Sequence, residues 1–310
     1  MLLPLTTELI DSLAVGDLEA AVALDRRGIL PGAEETPSEF ADRLRTFNAN
    51  MAKMEESLQE KGDFVFEDVT VSRDARIPDE LLAEASSVTE SKYAFCNDWV
   101  PGFFIDPSFS FLFGGCAYYF FPDFFALFII RESFKQKRRW LFYQRQELLA
   151  HELCHIARIG LLSQDFEETF AYQTATTAFR RWLGGIFRSA TDSLLFLGGT
   201  FLQLAGQLLR TFLLPGLPIW PFWTVFLGIC AFLLLRHLKD MRELQRALAN
   251  LALAFPEDNC RAVLFRCTDA EVHELSRCRT PEAMREFLLR RQDVFRWKII
   301  RRRFEQTPEQ

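Results

Sequence analysis

The chain has 310 residues, 49% of them hydrophobic, with 32 phenylalanines and a formal net charge of −6. That length accommodates one sizeable core or two smaller ones, and the acidic balance excludes a general nucleic-acid binder. Seven cysteines with no Cys-x-x-Cys pair read as reduced thiols in a cytoplasmic setting, not as a disulfide framework.

The opening MLLPLTTELIDSL lacks a basic start, a long apolar run and a small-residue cleavage site, so it does not read as a signal peptide. Residues 1–62 are polar and helix-forming. Helices are expected at about 5–26 and 37–60, the second opened by Thr36-Pro37-Ser38-Glu39 with proline at the first helical position. Residues 63–130 read as strands: Phe64–Val71 is rich in β-formers, Phe109–Phe113 alternates, and Ala117–Phe121 and Phe124–Ile130 flank the turn signal Pro122-Asp123. A membrane span over 109–130 is the rival reading, opposed by that turn and by Gly114-Gly115.

Basic residues cluster from Arg131 to Arg139, and Trp140–Tyr143 then leads into the most informative stretch, HELCHIAR at 151–158. His151 and His155 are four apart, so on a helix their imidazoles lie on one face, where they can hold one Zn²⁺. Glu152 can take a proton from water at the metal's open position. The flanking Leu148, Leu149, Ala150, Ile156 and Ala157 are apolar, so the helix is expected to be buried, and buried imidazoles need partners. Cys154 points to the opposite face and reads as packing.

Ile159-Gly160 reads as a C-cap, after which Asp165-x-x-Glu168 resembles a capping box opening a second helix. Glu168, Ala171, Tyr172, Ala175, Phe179 and Trp182 follow steps of three and four and form one mostly apolar stripe. Glu168 is therefore the candidate third ligand, with Glu167, about 100° away around the helix, as the alternative. Arg158 can pair with Asp165 or Glu167 and fix the turn between the helices. Tyr172 is a candidate hydrogen-bond donor to an oxyanion, and His273 a remote candidate for the same role.

His-Glu-x-x-His on one helix with a glutamate on the next resembles the gluzincin branch of zinc metallopeptidases. Glu168-Thr169-Phe170-Ala171 is similar to the Glu-x-x-Ala around the third ligand in several membrane-linked and minimal gluzincins. The resemblance covers residues 140–182 and implies His151, His155 and Glu168 as zinc ligands and Glu152 as general base. Tyr172 stands where some of these families carry aspartate, and the spacer from His155 to Glu168 is shorter than in most.

Further on, Ser193–Leu209 is uncharged and the run from Thr211 to Leu235 is strongly apolar. Two hydrophobic helices are expected, about 192–213 and 217–235, joined at Pro215–Pro218 and each near the ~20 residues needed to span a bilayer. Arg180, Arg181 and Arg188 before the pair, and Arg236, Lys239 and Arg242 after it, put both flanks in the cytoplasm by the positive-inside tendency. Residues 237–254 continue as helix. The stretch 260–303 is mostly helical, and its basic end, Trp297–Arg303, suits anionic lipid headgroups.

The expected fold class is α+β: a zincin-like catalytic domain, with a small sheet and metal-binding helices, carrying a transmembrane helical hairpin. The regions are 1–62, 63–190, 191–236 and 237–310. The expected function is a membrane-anchored, zinc-dependent metallopeptidase facing the cytoplasm, with a peptide or protein substrate and the lipid bilayer as partners. The alternative is a non-catalytic membrane-associated binding or regulatory protein that retains the fold.

Overall fold

The computed structural model describes residues 5–66, 69–106, 114–120, 125–140 and 143–305. Its first three helices are α1 (Thr7–Ala14), α2 (Leu18–Arg26) and α3 (Pro37–Glu60). The single helix expected over 5–26 is thus two. Gly16 takes a φ of +87°, a conformation open to glycine without strain, and the Asp17 carboxylate accepts from Glu19 N–H to start α2. Helix α3 begins as its sequence demands, with a reciprocal Thr36–Glu39 capping box and Pro37 in the first turn. Phe40, Leu44, Phe47, Met51, Met54 and Leu58 form its buried stripe.

Strands β1 (Asp63–Phe66) and β2 (Val69–Ser72) pair antiparallel, as the β-rich run over 64–71 predicts. Helix α4 (Asp79–Tyr93) then interrupts a region read from sequence as strands throughout. Strands β3 (Gly102–Ile105), β4 (Gly115–Phe120) and β5 (Phe125–Arg131) form a second sheet in the order β3-β5-β4. Here β5 is central, parallel to β3 and antiparallel to β4. Ala126–Ile130 are all buried, so the central strand reads as a continuous apolar run. That run also explains the rival membrane reading of 109–130, which β4 and β5 overturn. The strand expected at 109–113 lies outside the described residues.

Short strands β6 (Arg139–Trp140) and β7 (Tyr143–Gln144) deliver the chain to α5 (Arg145–Arg158). Ile159 is the C-cap of α5, as expected, and opens a 3-10 turn over Ile159–Leu161 that ends at Leu162, at φ +50°, which carries the left-handed turn. Helix α6 (Glu167–Tyr172) follows, then α7 (Ala178–Leu183). Asp165 does not cap α6; its carboxylate is taken by Arg188 and His273. The apolar stripe therefore ends at Ala175: the helix breaks, and Phe179 and Trp182 face solvent.

Helix α8 (Ala190–Phe212) packs antiparallel on the first half of α9 (Trp220–Leu251). A Cβ on Gly199 would meet the Ile229 side chain at 2.7 Å, and one on Gly206 the Phe222 ring at 2.6 Å, so both glycines permit the close approach. Among the described residues, α9 is the one helix long and apolar enough to cross a membrane, and only 11% of its most apolar window is buried. Its partner α8 falls short of that measure, carrying Gly198, Gly199, Gln203, Gln207 and Arg210 among its leucines.

The remaining chain forms α10 (Glu257–Phe265), α11 (Asp269–Leu275), α12 (Pro281–Leu289) and α13 (Phe295–Phe304), packed with the second half of α9 around a second core. The basic C-terminal end is no lipid-facing surface. Trp297, Ile299 and Ile300 are buried, Arg296 pairs with Glu271, Arg302 with Glu19, and Arg303 with Asp25.

Candidate metal centre

Helix α5 lies between the two cores. Leu149, Leu153 and Ile156 enter the first, while Cys154 and Ala157 enter the second, as expected of the cysteine. The face left over is polar and carries His151 and His155 toward α6. Helix α6 lies beside it, backed closely by the Gly184–Ile186 turn: a Cβ on Gly184 would strike the Tyr172 ring, and one on Gly185 would strike Thr169.

The two imidazole Nε2 atoms are 3.1 Å apart. Glu168 straddles them, with one carboxylate oxygen 3.6 Å from His151 Nε2 and the other 3.6 Å from His155 Nε2. One donor atom from each residue can be chosen with all three inside 4.8 Å. Tetrahedral zinc with bonds of about 2.0–2.1 Å places adjacent ligand atoms about 3.3 Å apart, so the donor set fits such an ion in both chemistry and spacing.

Glu167 and Glu168 are adjacent, yet they sit on opposite sides of the His155 ring. Glu167 meets Nδ1 at 3.1 Å, while its other oxygen accepts from Arg158 Nε at 2.8 Å. Arg158, fully buried, also donates to the Phe265 carbonyl on α10 and lies 4.3 Å from the Phe170 ring centre. Of the two partners expected for Arg158, the structure brings Glu167 to it. Glu167 thus orients His155 from behind, and Glu168 faces the shared Nε2 side.

Electrostatics divide the two histidines. Burial pushes His151 well below its ordinary value, aided by His155 and Arg180. Burial acts on His155 in the same direction, but Glu167, Glu168 and Glu152 outweigh it and lift the ring to about 9. Burial would raise Glu167 too, yet Arg158 and His155 hold it low. Glu152 is pushed up to about 7, chiefly by burial, with His155 and a hydrogen bond from the Ala117 backbone pulling the other way. A carboxylate poised near neutrality is suited to accept and return a proton. Burial raises Tyr172 to about 12. Its ring stands edge-on to His151, with centroids 4.6 Å apart.

These residues line one cavity of about 930 Å³. Gly114–Ala117 of the β4 edge form one wall, and Ser189, Thr191, Asp192 and Arg236 form another. No strand among the described residues pairs with the outer edge of β4. His273 does not line this cavity: its nitrogens face Glu243 at 2.7 Å and Asp165 at 3.2 Å, away from the cluster.

Sequence reasoning missed two sets of cavity residues. Glu147 accepts from Thr176 N–H at 2.6 Å and pairs with Arg180. It lies one helical turn before His151, so spacing alone carried that signal. Arg188 and Arg236 read from sequence only as basic flanks of the apolar helices, and nothing in the local pattern marks Asp192. No protein-family model, curated protein or solved structure matches the chain.

Proposed function

We propose that the protein is a membrane-anchored zinc metallopeptidase of zincin-like fold. The observation that carries this reading is the three-donor cluster, spaced for one tetrahedral ion, with the buried carboxylate of Glu152 beside it. His151, His155 and Glu168 would hold the zinc, which when bound supplies a Lewis acid that acidifies water and polarises a carbonyl. Glu152 takes the proton from the attacking water and returns it to the leaving amine. Tyr172, beside His151, donates its hydroxyl proton to the oxyanion. The edge of β4 that no described strand covers aligns an extended peptide by strand addition. The apolar α8–α9 pair anchors the domain in the bilayer. Arg180, Arg181 and Arg188 before the pair, and Arg236, Lys239 and Arg242 after it, support a cytoplasmic cleft by the positive-inside tendency.

The test combines metal analysis with cleavage of a protein substrate mixture by detergent-purified protein. Zinc at about one per chain is expected in wild type and in Glu152→Gln. Cleavage should fall ~10²–10⁴-fold in that variant, the usual contribution of a general acid–base. A wild type without zinc after reloading overturns the reading. A fully active Glu152→Gln overturns the mechanism, and zinc without any cleavage favours a binding protein on the same fold.

A further inference from the structure

The walls of the cavity place it relative to a membrane. Helix α9 is apolar from Trp220 to Leu235, and its first charged residue is Arg236. Helix α8 begins in a polar turn with Asp192 and turns apolar from Leu194. These two ends meet. Arg236 Nη1 donates to Asp192 Oδ1 at 2.9 Å, and the Arg188 backbone N–H donates to the other Asp192 oxygen at 2.8 Å. Arg188 also reaches Asp240 of α9 at 2.5 Å and pairs with Asp165, three residues before Glu168. The charged collar is where the apolar pair leaves the domain, and it is also one wall of the metal cavity.

Beyond the collar, most side chains facing outward are apolar, with a few threonines among them, and the one charged residue, Arg210, comes near the far end of α8. Leu194, Phe201, Phe212, Leu213, Trp220 and Leu235 are each about two-thirds exposed or more. Large exposed apolar side chains in this number along one helical pair mark a surface made for a membrane or a partner. Sixteen residues of helix from Trp220 to Arg236 rise about 24 Å, most of a ~30 Å hydrocarbon layer. With Trp220 and Trp223 at the far end, Arg188, Asp192 and Arg236 fall at the near headgroup layer. Charged groups are stable there, and deeper in the hydrocarbon they are not. The floor of the cavity then lies at the bilayer surface, not out in solvent.

We infer that the substrates are polypeptides anchored in the same bilayer, cut in an extended segment just outside their own membrane span. This rests on the metallopeptidase reading and adds to it a substrate class. A segment leaving a span is already at the height of the cleft, and an extended chain advances about 3.3 Å per residue, so a few residues carry it from the lipid surface past the metal cluster along β4. Anchoring both chains in one bilayer also raises their effective concentration, as tethering does. A loop on a soluble domain must instead bring the whole domain against the headgroups.

The experiment places full-length protein and single-span reporters in the same vesicles. Each reporter carries an identical randomised segment, either directly after its span or beyond a helical spacer of about 20 residues, which lifts it by about 30 Å. A third probe is the same segment as a free peptide. The directly attached segment should be cut at least tenfold faster than the raised one, and both faster than the free peptide. Wild type is compared with Glu152→Gln, and mass spectrometry maps the cut sites. Equal cutting of near and raised segments, or preference for the free peptide, overturns the substrate class and leaves the metallopeptidase standing. No cutting of any probe, or cutting that survives Glu152→Gln, overturns the metallopeptidase and the substrate class together.

Discussion

Two clusters in this molecule bring histidine to carboxylates, and they are built differently. At His273, each ring nitrogen has its own acid, Glu243 on one side and Asp165 on the other. Each nitrogen is matched to one carboxylate oxygen of its own. At His151 and His155, two imidazole nitrogens point at each other, and a single carboxylate is shared between them. Three donors converge there on one point. Convergence on a common point, more than the mere presence of histidine and acid, separates a ligand set from a salt bridge.

The sharpest way to break this contrast is to remove one ring from each cluster. His155→Ala should reduce zinc content from about one per chain to near zero, because a structural or catalytic site needs its protein ligands. His273→Ala should leave zinc content unchanged. Equal zinc content in the two variants, read by mass spectrometry, would erase the distinction.

A smaller effect is expected behind the ring. Glu167→Gln keeps the size of the side chain but loses the charge that faces His155 Nδ1 and Arg158. Zinc affinity should fall by about 10–100-fold, the usual effect of losing an orienting partner, with little change in the helical circular dichroism. Competition with a chelator measures it. Unaltered affinity would mean that Arg158 and the neighbouring backbone hold the ring without help.

The smallest expected effect comes from the collar. Arg188→Gln removes the link between Asp165 and Asp240 while leaving His273 on Asp165. Glu168 lies only three residues after Asp165, so its placement loosens, and the same chelator assay should show a few-fold weaker zinc binding. The Asp165 pair is partly exposed, whereas Asp240 is buried and loses its counter-charge, so the variant should also lower thermal stability. A loss larger than that of Glu167→Gln would make the membrane-side collar, and not Glu167, the dominant support of the cluster.

The motif was legible because helix geometry alone aligns residues four apart, and burial of α5 followed from its flanking leucines. The choice between Glu167 and Glu168 was not legible. It depends on how the chain turns over 159–166. That turn is set by Leu162 in a left-handed conformation and by Arg158 reaching the Phe265 carbonyl, more than a hundred residues away. Helix α4 escaped notice because its few buried residues, Ala85, Ser86, Thr89 and Tyr93, make no apolar stripe. The basic end of α13 misled for a related reason: its counter-charges, Glu19, Asp25 and Glu271, come from distant segments that no local pattern reveals. The apolar pair was legible in place and length, but that only α9 is apolar enough to span follows from the glycines and glutamines of α8.

The cluster also has an order in time. Its three donors lie within residues 151 to 168, so the ligand set is complete as soon as that stretch has been synthesised. Closing so short a loop costs little chain entropy. The groups that clamp the set come later: Arg188 follows Glu168 by 20 residues, Asp240 by 72, and Phe265 by 97. For the zinc proposed at this cluster, exchange from the complete protein should accordingly be slower than from a chain that stops before α8, as competition with a chelator reads.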